Sequence, residues 1–300
     1  MASTIDLSKL PAPDVVETLD FEAVLADMKA DLIARGTAIG VDLSPVLALE
    51  SEPLVLLLET AAYRETLLRS RVNMAAKAVM PAFAQGADLD QVASILDVQR
   101  LVLDPGDPDT GVAPTYESDP ALLARFLLAP AGFSVAGPSD AYKFHALSAD
   151  PKVLDATATS PAPCQVTVTV LSTEGDGTAD ADLLTAVTAA VSGESVRPLT
   201  DQVTVQSAGV VNFSVAGTRY TYAGPDPDVV TAASDASLQA YLTASRRLGR
   251  DVTLSGLYAA LTVPGIQRVE LDEPTATIAV NETQVANCTS TDLTFGGVDD

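Results

Sequence analysis

The chain has 300 residues, of which 47% are hydrophobic, enough for a substantial core and too many for a disordered protein. Its net charge of −23, from 40 acidic and 17 basic residues, repels phosphate backbones and argues against nucleic-acid binding. The longest aliphatic run, residues 54–58, is far shorter than the ~20 apolar residues of a membrane span. Residues 1–6 lack the basic and apolar regions with which a signal peptide begins. We therefore expect a protein that is made in the cytoplasm and has no membrane contact.

Residues 1–104 predict a helical region, which begins with an extended arm over residues 1–20. The first helix should start after Asp20, which can serve as its N-cap, because apolar residues then recur at spacings of three and four. It should end near Gly36–Gly40, and a shorter helix is predicted from Leu89 to Leu96.

A long helix is the strongest local signal, with Pro53 in its first turn and Pro81 at its end. Some 28 residues at 1.5 Å each predict a rod of about 40 Å. Its apolar positions share one stripe, so we expect it to pack against other long helices, from this chain or another. The stripe consists of Leu54, Leu57, Leu58, Ala61, Leu68, Val72, Ala75, Ala76 and Val79.

Charged residues accompany this stripe. Glu65 falls on it, and Arg64 and Arg69 lie close by. One interpretation is a partly buried ion pair between Glu65 and Arg69 at i+4. The other is a polar contact that sets the register of a helix bundle. Together with Tyr63, these residues and the stripe form a candidate interface.

Residues 105–160 predict a linker and a small mixed domain. The run from Asp104 to Gly111 has the composition of a turn and marks a domain boundary. Its three acids do not have the spacing of a calcium-binding EF-hand loop, so we expect a solvated linker. A short helix is predicted from Pro120 to Leu128.

Residues 161–228 predict a β-α-β-β domain, because the pattern over Cys164–Val170 alternates strictly between polar and apolar residues. A helix over Leu183–Val191, two further strands and a turn at Gly217 should follow. With the next helix, the order β-α-β-β-α resembles a split βαβ plan, in which helices cover one face of a sheet.

Residues 229–300 predict a C-terminal α/β domain with two helices and then three strands. The strands are expected near Gln267–Leu271, Ala276–Val280 and Thr291–Phe295. The predicted fold class is therefore α+β, with an N-terminal helical region that holds a long helix, followed by small α/β domains.

Arg246, Arg247 and Arg250 form the densest basic cluster of this acidic chain. They stand at the end of a predicted helix, where cations are favourable and Gly249 can provide a left-handed cap. Alternatively, the cluster binds an acidic neighbouring subunit, and both interpretations can hold together.

The sequence contains no catalytic motif. Its single histidine, His145, has no metal-ligand cluster beside it, and phosphate-loop, nucleophile-elbow and dinucleotide fingerprints are absent. We expect Cys164 and Cys288 to be small buried hydrophobic residues. The expectation is a protein without catalysis, cofactor or metal, although 40 acids leave a carboxylate-based hydrolase as an alternative.

Three stretches resemble the baseplate assembly protein J family of contractile-tail phages, also called baseplate J-like proteins. The first consists of Asp20–Lys29 and Leu49–Leu54. The second, which is the most specific, consists of Ala61–Glu65, Leu68–Asn73 and Gly86–Asp90. The third consists of Leu248–Val252, Val263–Ile266 and Val269–Leu271.

The resemblance implies a structural wedge component of the baseplate of a contractile phage tail or tailocin. It implies that the helical part joins neighbouring wedge proteins in a bundle and that the α/β domains contact another copy, helping to close a ring around the tail tube. The implied partners are other copies, neighbouring wedge proteins and a sheath-initiator-like protein, in a particle assembled in the bacterial cytoplasm. A tail-tip binding domain is a further alternative, but it would need exposed aromatic platforms beyond Tyr220 and Tyr222.

Overall fold

The computed structural model describes residues 7, 10, 11, 13–224 and 226–299, and the chain divides into two compact units. The first unit is Met1–Gln99 and the second is Arg100–Asp300. Most of the predicted arm before residue 13 lies outside the described residues. The predicted α+β class with an N-terminal helical region is confirmed, whereas the finer division into four domains stays a prediction.

The first unit is built from helices. They are α1 (Phe21–Ala38), α2 (Ser44–Leu47), α3 (Pro53–Ala78) and α4 (Gly86–Ser94). Asp20 caps α1 as predicted, since its Oδ1 accepts hydrogen bonds from the backbone N–H groups of Glu22 and Ala23 at 3.0 and 3.2 Å. The 26 residues of α3 make a rod of about 39 Å.

The core of this unit forms where α1 packs on α3. Val24 and Leu25 of α1 meet Ala62 of α3, and all three are buried. Phe21, Met28 and Leu58 close the edge of this cluster. The small side chain of Ala62 lets the two helices approach closely, so α1 covers the face of α3 that carries alanine rather than the one richest in leucine.

The second unit contains three sheets and five helices within the described residues. Its elements are β1 (Val102–Asp104), β2 (Thr115–Tyr116), α5 (Asp119–Gly132), α6 (Ser139–Ala149), β3 (Val153–Ala162), β4 (Gln165–Ser172), α7 (Ala181–Val191), β5 (Gln202–Ser207), β6 (Gly209–Thr221), α8 (Pro227–Ser245), α9 (Leu254–Leu261), β7 (Ile266–Glu273) and β8 (Gln284–Val298). Strands β1 and β2 pair with each other in a small antiparallel sheet.

The second sheet has the order β3-β4-β5. Strand β4 pairs antiparallel with β3 and parallel with β5, and α7 provides the crossover that a parallel pair requires. Helices α6 and α7 supply Tyr142, Ala146, Leu183, Val187 and Val191 to the buried core of this sheet. Val168 and Val170 project into the same core from β4.

The third sheet has the order β7-β6-β8, in which β6 is antiparallel to β7 and parallel to β8. Its core gathers Phe213 and Val215 of β6 with Leu238 of α8 and Leu257 and Leu261 of α9. The predicted order β-α-β-β-α is thus confirmed along the chain, but its strands divide between two sheets, because β6 pairs with β7 and β8 rather than with β5.

Two local predictions were wrong. Strand β6 runs straight through Gly217, and a side chain there would collide with the backbone of Glu270 and Leu271 on β7. The glycine therefore serves a close approach at a register shift, not a turn. The strand predicted over Ala276–Val280 is absent, because Ile278 alone pairs in that segment, in an isolated bridge with Val252.

Candidate functional site

Two rows of apolar side chains lie exposed along α3, on faces that α1 does not cover. In the first row, which ends at the residue that follows α3, the larger side chains are 59% to 70% exposed; the row is Leu57, Ala61, Leu68, Val72, Ala75 and Val79. In the second row, exposure is 50% to 60%; the row is Leu56, Tyr63, Leu67 and Met74. Both follow the spacings of three, four and seven that keep residues on one side of a helix.

The sequence predicted the residues of the first row and, of the second row, only Tyr63. Ala61, Leu68 and Val72 are exposed as an interface requires, whereas Leu54 and Leu58 are half-buried. The signal for the second row was present in the recurrence of large apolar residues at intervals of seven, four and seven.

A polar ridge separates the two rows. Thr60, Arg64 and Arg71 are exposed along it, and Thr60 also bonds the carbonyl of Leu56 within its own helix. Flanking charges of this kind stay at the rim of a helix bundle and influence which partner is accepted. Arg64, a predicted interface residue, belongs to this ridge and not to either apolar row.

The pair predicted at Glu65 and Arg69 is present and largely exposed. Arg69 Nη2 lies 2.6 Å from Glu65 Oε1, and the two side chains are 47% and 37% exposed. Arg69 Nη1 also lies 3.3 Å from a carboxylate oxygen of Glu17 in the arm. Hydrogen bonding to Glu65 raises the pKa of Arg69. In this subunit the pair is a surface contact, more exposed than the partly buried pair of the first interpretation.

The three arginines at the end of α8 have separate roles. Arg250 donates from Nη1 to the carbonyl of Ala244 at 3.0 Å, and so helps to satisfy the end of the helix. Arg246 donates from Nη2 to the carbonyl of Gly175 at 2.7 Å, whereas the Arg247 side chain is exposed. The predicted cap at Gly249 is wrong: α8 ends at Ser245, and Gly249 adopts its positive φ of +69° in the turn that follows.

Within the described residues, no group of three or more His, Cys, Asp or Glu side chains could hold a metal ion. His145 places Nε2 3.2 Å from the carbonyl oxygen of Gly132, and burial lowers its pKa. The acids of the predicted linker cap their own turns, since Asp104 accepts from Gly106 N and Asp107 from Asp109 N.

Other predicted features also have local explanations. Cys164 was predicted to be buried and is exposed, because it occupies the hairpin between β3 and β4 with φ of +62°; Cys288 is half-buried. The guanidinium of Arg268 covers the ring of Tyr220 at 4.0 Å, so this tyrosine is not an open platform. No helix in the described part of the chain combines the length and hydrophobicity of a membrane span.

Comparison with known proteins identifies relatives along most of the chain. Three family models match it: the Baseplate J-like N-terminal domain at residues 50–107, the Baseplate J-like central domain at 134–207, and the Baseplate J-like protein C-terminal domain at 211–294. A curated relative, Baseplate protein J of Escherichia phage P2, is 49% identical over 300 residues, which is 99% of each chain.

Among solved structures, the fold is similar to a chain in the cryo-EM structure of the anti-feeding prophage baseplate, 6-fold symmetrised. The similarity has a TM-score of 0.43 at 16% sequence identity. It covers 60% of this chain and 43% of that chain, so this chain matches less than half the length of its structural neighbour.

Proposed function

Since the chain belongs to the baseplate J-like family of structural phage proteins, we propose that it is a wedge component of the baseplate of a contractile phage tail or tailocin. In this role the protein catalyses no reaction. It assembles in the bacterial cytoplasm with other copies of itself, with neighbouring wedge proteins and with a sheath-initiator-like protein, and helps to close a ring around the tail tube.

The observation that supports this proposal is the pair of exposed apolar rows on α3. A monomeric protein seldom leaves contiguous apolar surface exposed over such a length, because it invites association. Complete burial of a Leu or Val side chain contributes about 1.5–3 kcal/mol, and the first row alone carries four such residues. Even after the entropic cost of association, covering these rows favours binding.

The arrangement of the faces indicates the kind of partner. α1 occupies one side of α3, and the two rows leave two further sides open to other helices. A helix with apolar residues on three sides fits inside a bundle, where heptad spacing lets each row pack into a neighbouring helix. We therefore place α3 in a helical bundle that neighbouring baseplate chains complete.

Replacement of Leu68 and Val72 by Asp tests this placement. Both side chains are exposed in the subunit, so the folded protein should keep its melting temperature, while charges inside an interface should block assembly. Co-purification of tail proteins with the tagged chain, from cells that produce the whole particle, measures the effect. Loss of baseplate partners and of intact particles is expected.

The matched control replaces Ile39 and Ile95 by Asp. These side chains are also exposed aliphatic residues of the first unit, 79% and 78% exposed, but they lie outside α3. The control should assemble normally. Normal particle assembly by the Leu68 and Val72 variant, or equal failure of both variants, would contradict the proposed bundle.

A further inference from the structure

The third sheet ends on one side in β8, whose outer edge pairs with no further strand in the described part of the chain. The strand is 15 residues long, contains no proline and carries a single charged residue, Asp292. Proteins usually protect such an edge, because its free N–H and C=O groups can pair with another chain. The opposite edge of the same sheet is protected, since four of the eight residues of β7 are charged. Of these two edges, β8 is therefore the one open to another strand.

Residues 290–295 are the part of β8 best suited to such pairing, and we call them the β8 edge. They lie opposite Ser214–Arg219 of β6 without interruption, and a register shift marks each end of the stretch. Outside this pairing they make no backbone–backbone hydrogen bond within the described residues. Five of the six side chains are exposed, and Leu293 is half-buried. The β8 edge is thus regular, accessible and without a backbone partner on its outer side.

The two faces of the β8 edge differ in character. Because side chains alternate along a strand, Thr291, Leu293 and Phe295 share one face, and Asp292 and Thr294 share the other. Leu293 packs against the core that α8 and α9 form with this sheet, so the first face is the helix-covered one. Phe295 continues that face but is 47% exposed. An aromatic side chain so exposed at a strand edge is suited to contact with a neighbouring strand.

We propose that the β8 edge pairs antiparallel with the β8 edge of a second copy of this chain, in a register centred on Leu293. This inference rests on the proposed function, because it specifies one contact by which copies meet in the baseplate. In this register, Leu293 faces its own counterpart. Thr291 of each copy faces Phe295 of the other, and Asp292 of each copy faces Thr294 of the other.

Self-complementarity of the edge favours a second copy as the partner. A two-fold contact repeats every facing pair, so an edge that pairs with itself must place compatible residues opposite each other. Centred on Leu293, the register joins two leucines and two pairs of an aromatic with a β-branched residue, both of which are favourable across strands. The edge contributes one charge per copy, and a neutral threonine faces it. The rest of the net charge of −23 is therefore not concentrated at this contact.

The neighbouring registers are less favourable. Facing residues of a two-fold antiparallel pair lie on the same face of the sheet, so the axis must pass through a residue position. Centring on Asp292 would place two carboxylates directly opposite each other, which is destabilising. Centring on Thr294 would place Asp292 opposite Gly296, beyond the register shift that ends the regular stretch.

Disulfide formation in assembled particles tests the register with the full chain. In a background with Cys164→Ser and Cys288→Ala, Leu293→Cys places two thiols opposite each other, within the about 4.4–6.8 Å between Cα atoms that a disulfide requires. Asp272→Cys, at an exposed position on β7, is the matched control on the other edge of the sheet. Mild oxidation should link Leu293→Cys copies in pairs, with about tenfold more product than the control.

A second pair of variants does not depend on the half-buried position. Asp292 and Thr294 are exposed, so their replacement by cysteine leaves the core intact. Particles that contain a mixture of Asp292→Cys and Thr294→Cys copies should form the mixed disulfide, which mass spectrometry identifies. Melting temperatures of the free subunits confirm that each variant is folded.

The sign of an added charge separates pairing from a local effect. Thr294→Asp puts a second carboxylate opposite Asp292 of the other copy, whereas Thr294→Lys puts an ammonium there. Both changes remove the hydroxyl that donates to Gly217 O at 3.3 Å, so a local effect would be equal in both. With Leu293→Cys as the reporter, Thr294→Asp should lower the linked fraction about tenfold, and Thr294→Lys should maintain or raise it.

The outcomes distinguish this inference from the proposed function. Particles that lack the wild-type chain would contradict the proposed function itself. Particles that contain the chain but form neither disulfide, or link position 293 to a different protein, would overturn the pairing of β8 edges and leave the proposed function standing. Equal effects of Thr294→Asp and Thr294→Lys would overturn it as well.

Discussion

The side-chain amide of Asn73 on α3 forms two hydrogen bonds with the backbone of Glu17. Its Oδ1 accepts from Glu17 N at 3.1 Å, and its Nδ2 donates to Glu17 O at 2.8 Å. Asn73 is buried, so both polar ends of its amide need these partners. The described part of the arm is thus attached to α3 on the same face that α1 covers, which leaves the two apolar rows free.

Asn73→Ala should therefore destabilise the first unit. The variant leaves the N–H and C=O groups of Glu17 without their partner, at a cost of about 1–3 kcal/mol in the free energy of unfolding. Urea denaturation measures that loss, and hydrogen exchange at the Glu17 amide should accelerate. Asn73→Asp keeps an acceptor for Glu17 N, so the Glu17 amide should exchange more slowly than in Asn73→Ala. Its buried carboxylate faces the Glu17 carbonyl oxygen, so the free energy of unfolding should still fall. Unchanged exchange in both variants would show that the arm is held elsewhere.

The ion pair of Glu65 and Arg69 should contribute little to the free subunit. Both side chains are more than a third exposed, so Glu65→Ala should cost no more than the ~0.3–0.5 kcal/mol of a surface pair at i+4. The exposed pair of Asp31 and Arg35 on α1 has the same spacing and order, and makes Asp31→Ala a matched control. A loss above ~1 kcal/mol for Glu65→Ala alone would indicate a buried role that the subunit does not show.

Periodicity in the sequence was sufficient to predict the helices and strands in which apolar residues recur at a regular spacing. The long helix and β4 were predicted because apolar residues recur at helical spacing in one and alternate in the other. Strand β3 was missed because Asp155 to Ala162 contains no large apolar residue. Alanine and threonine alternate over residues 156–159, but they differ too little in hydrophobicity to mark a strand. Pairing with β4, a tertiary interaction, determines that strand.

The candidate site was predictable as a set of residues but not as a set of contacts. The apolar stripe on α3 indicated an interface, yet only the structure shows that α1 takes the face of Val55, Ala62 and Asn73 instead. Likewise, three neighbouring arginines suggested one basic patch. Their separation follows from distant backbone groups, such as the Gly175 carbonyl, whose position no local pattern reveals.

Tyr142 should make the stability of the second unit sensitive to alkaline pH. Burial raises the pKa of its hydroxyl, and so does its hydrogen bond to Asp201, whose carboxylate accepts at 2.8 Å. Because the folded-state pKa lies above the unfolded value of about 10, the contribution is fully present below pH ~10 and is lost as pH rises through the folded pKa.

Tyr142→Phe isolates that contribution. The variant should lose about 1–3 kcal/mol near neutral pH, and the difference in unfolding free energy between it and the wild type should shrink above pH ~10. Paired denaturation curves from pH 7 to 11 measure the difference, and other titrating groups cancel in the comparison. A difference that stays constant through this range would mean that Tyr142 ionises at the same pH in both states.

Asp155 joins the sheet of β3 to the chain segment that follows α8. Its buried carboxylate accepts from Leu248 N at 3.1 Å through Oδ2, while Oδ1 accepts from Ala156 N at 2.9 Å and lies 2.7 Å from Lys143 Nζ. Leu248 in turn packs with Leu171 of β4 and Val285 of β8, between the two sheets. The Asp155 carboxylate thus links the two larger sheets of the second unit.

Asp155→Ala should cost more than Lys143→Met, although both remove the same ion pair. Loss of the carboxylate removes the acceptor of the buried Leu248 N–H and the ion-pair partner of a partly buried ammonium, at roughly 3–5 kcal/mol. Loss of the ammonium leaves the carboxylate with its two backbone donors, at roughly 1–2 kcal/mol. Urea denaturation measures which variant loses more free energy of unfolding, and hydrogen exchange at Leu248 should accelerate only in Asp155→Ala.

Thr157→Val is the neighbouring control, since it removes a single exposed hydrogen bond to the Glu282 carbonyl and should cost less than ~1 kcal/mol. If Lys143→Met lowers the free energy of unfolding more than Asp155→Ala does, the link between the sheets depends on charge pairing and not on the backbone hydrogen bond to Leu248.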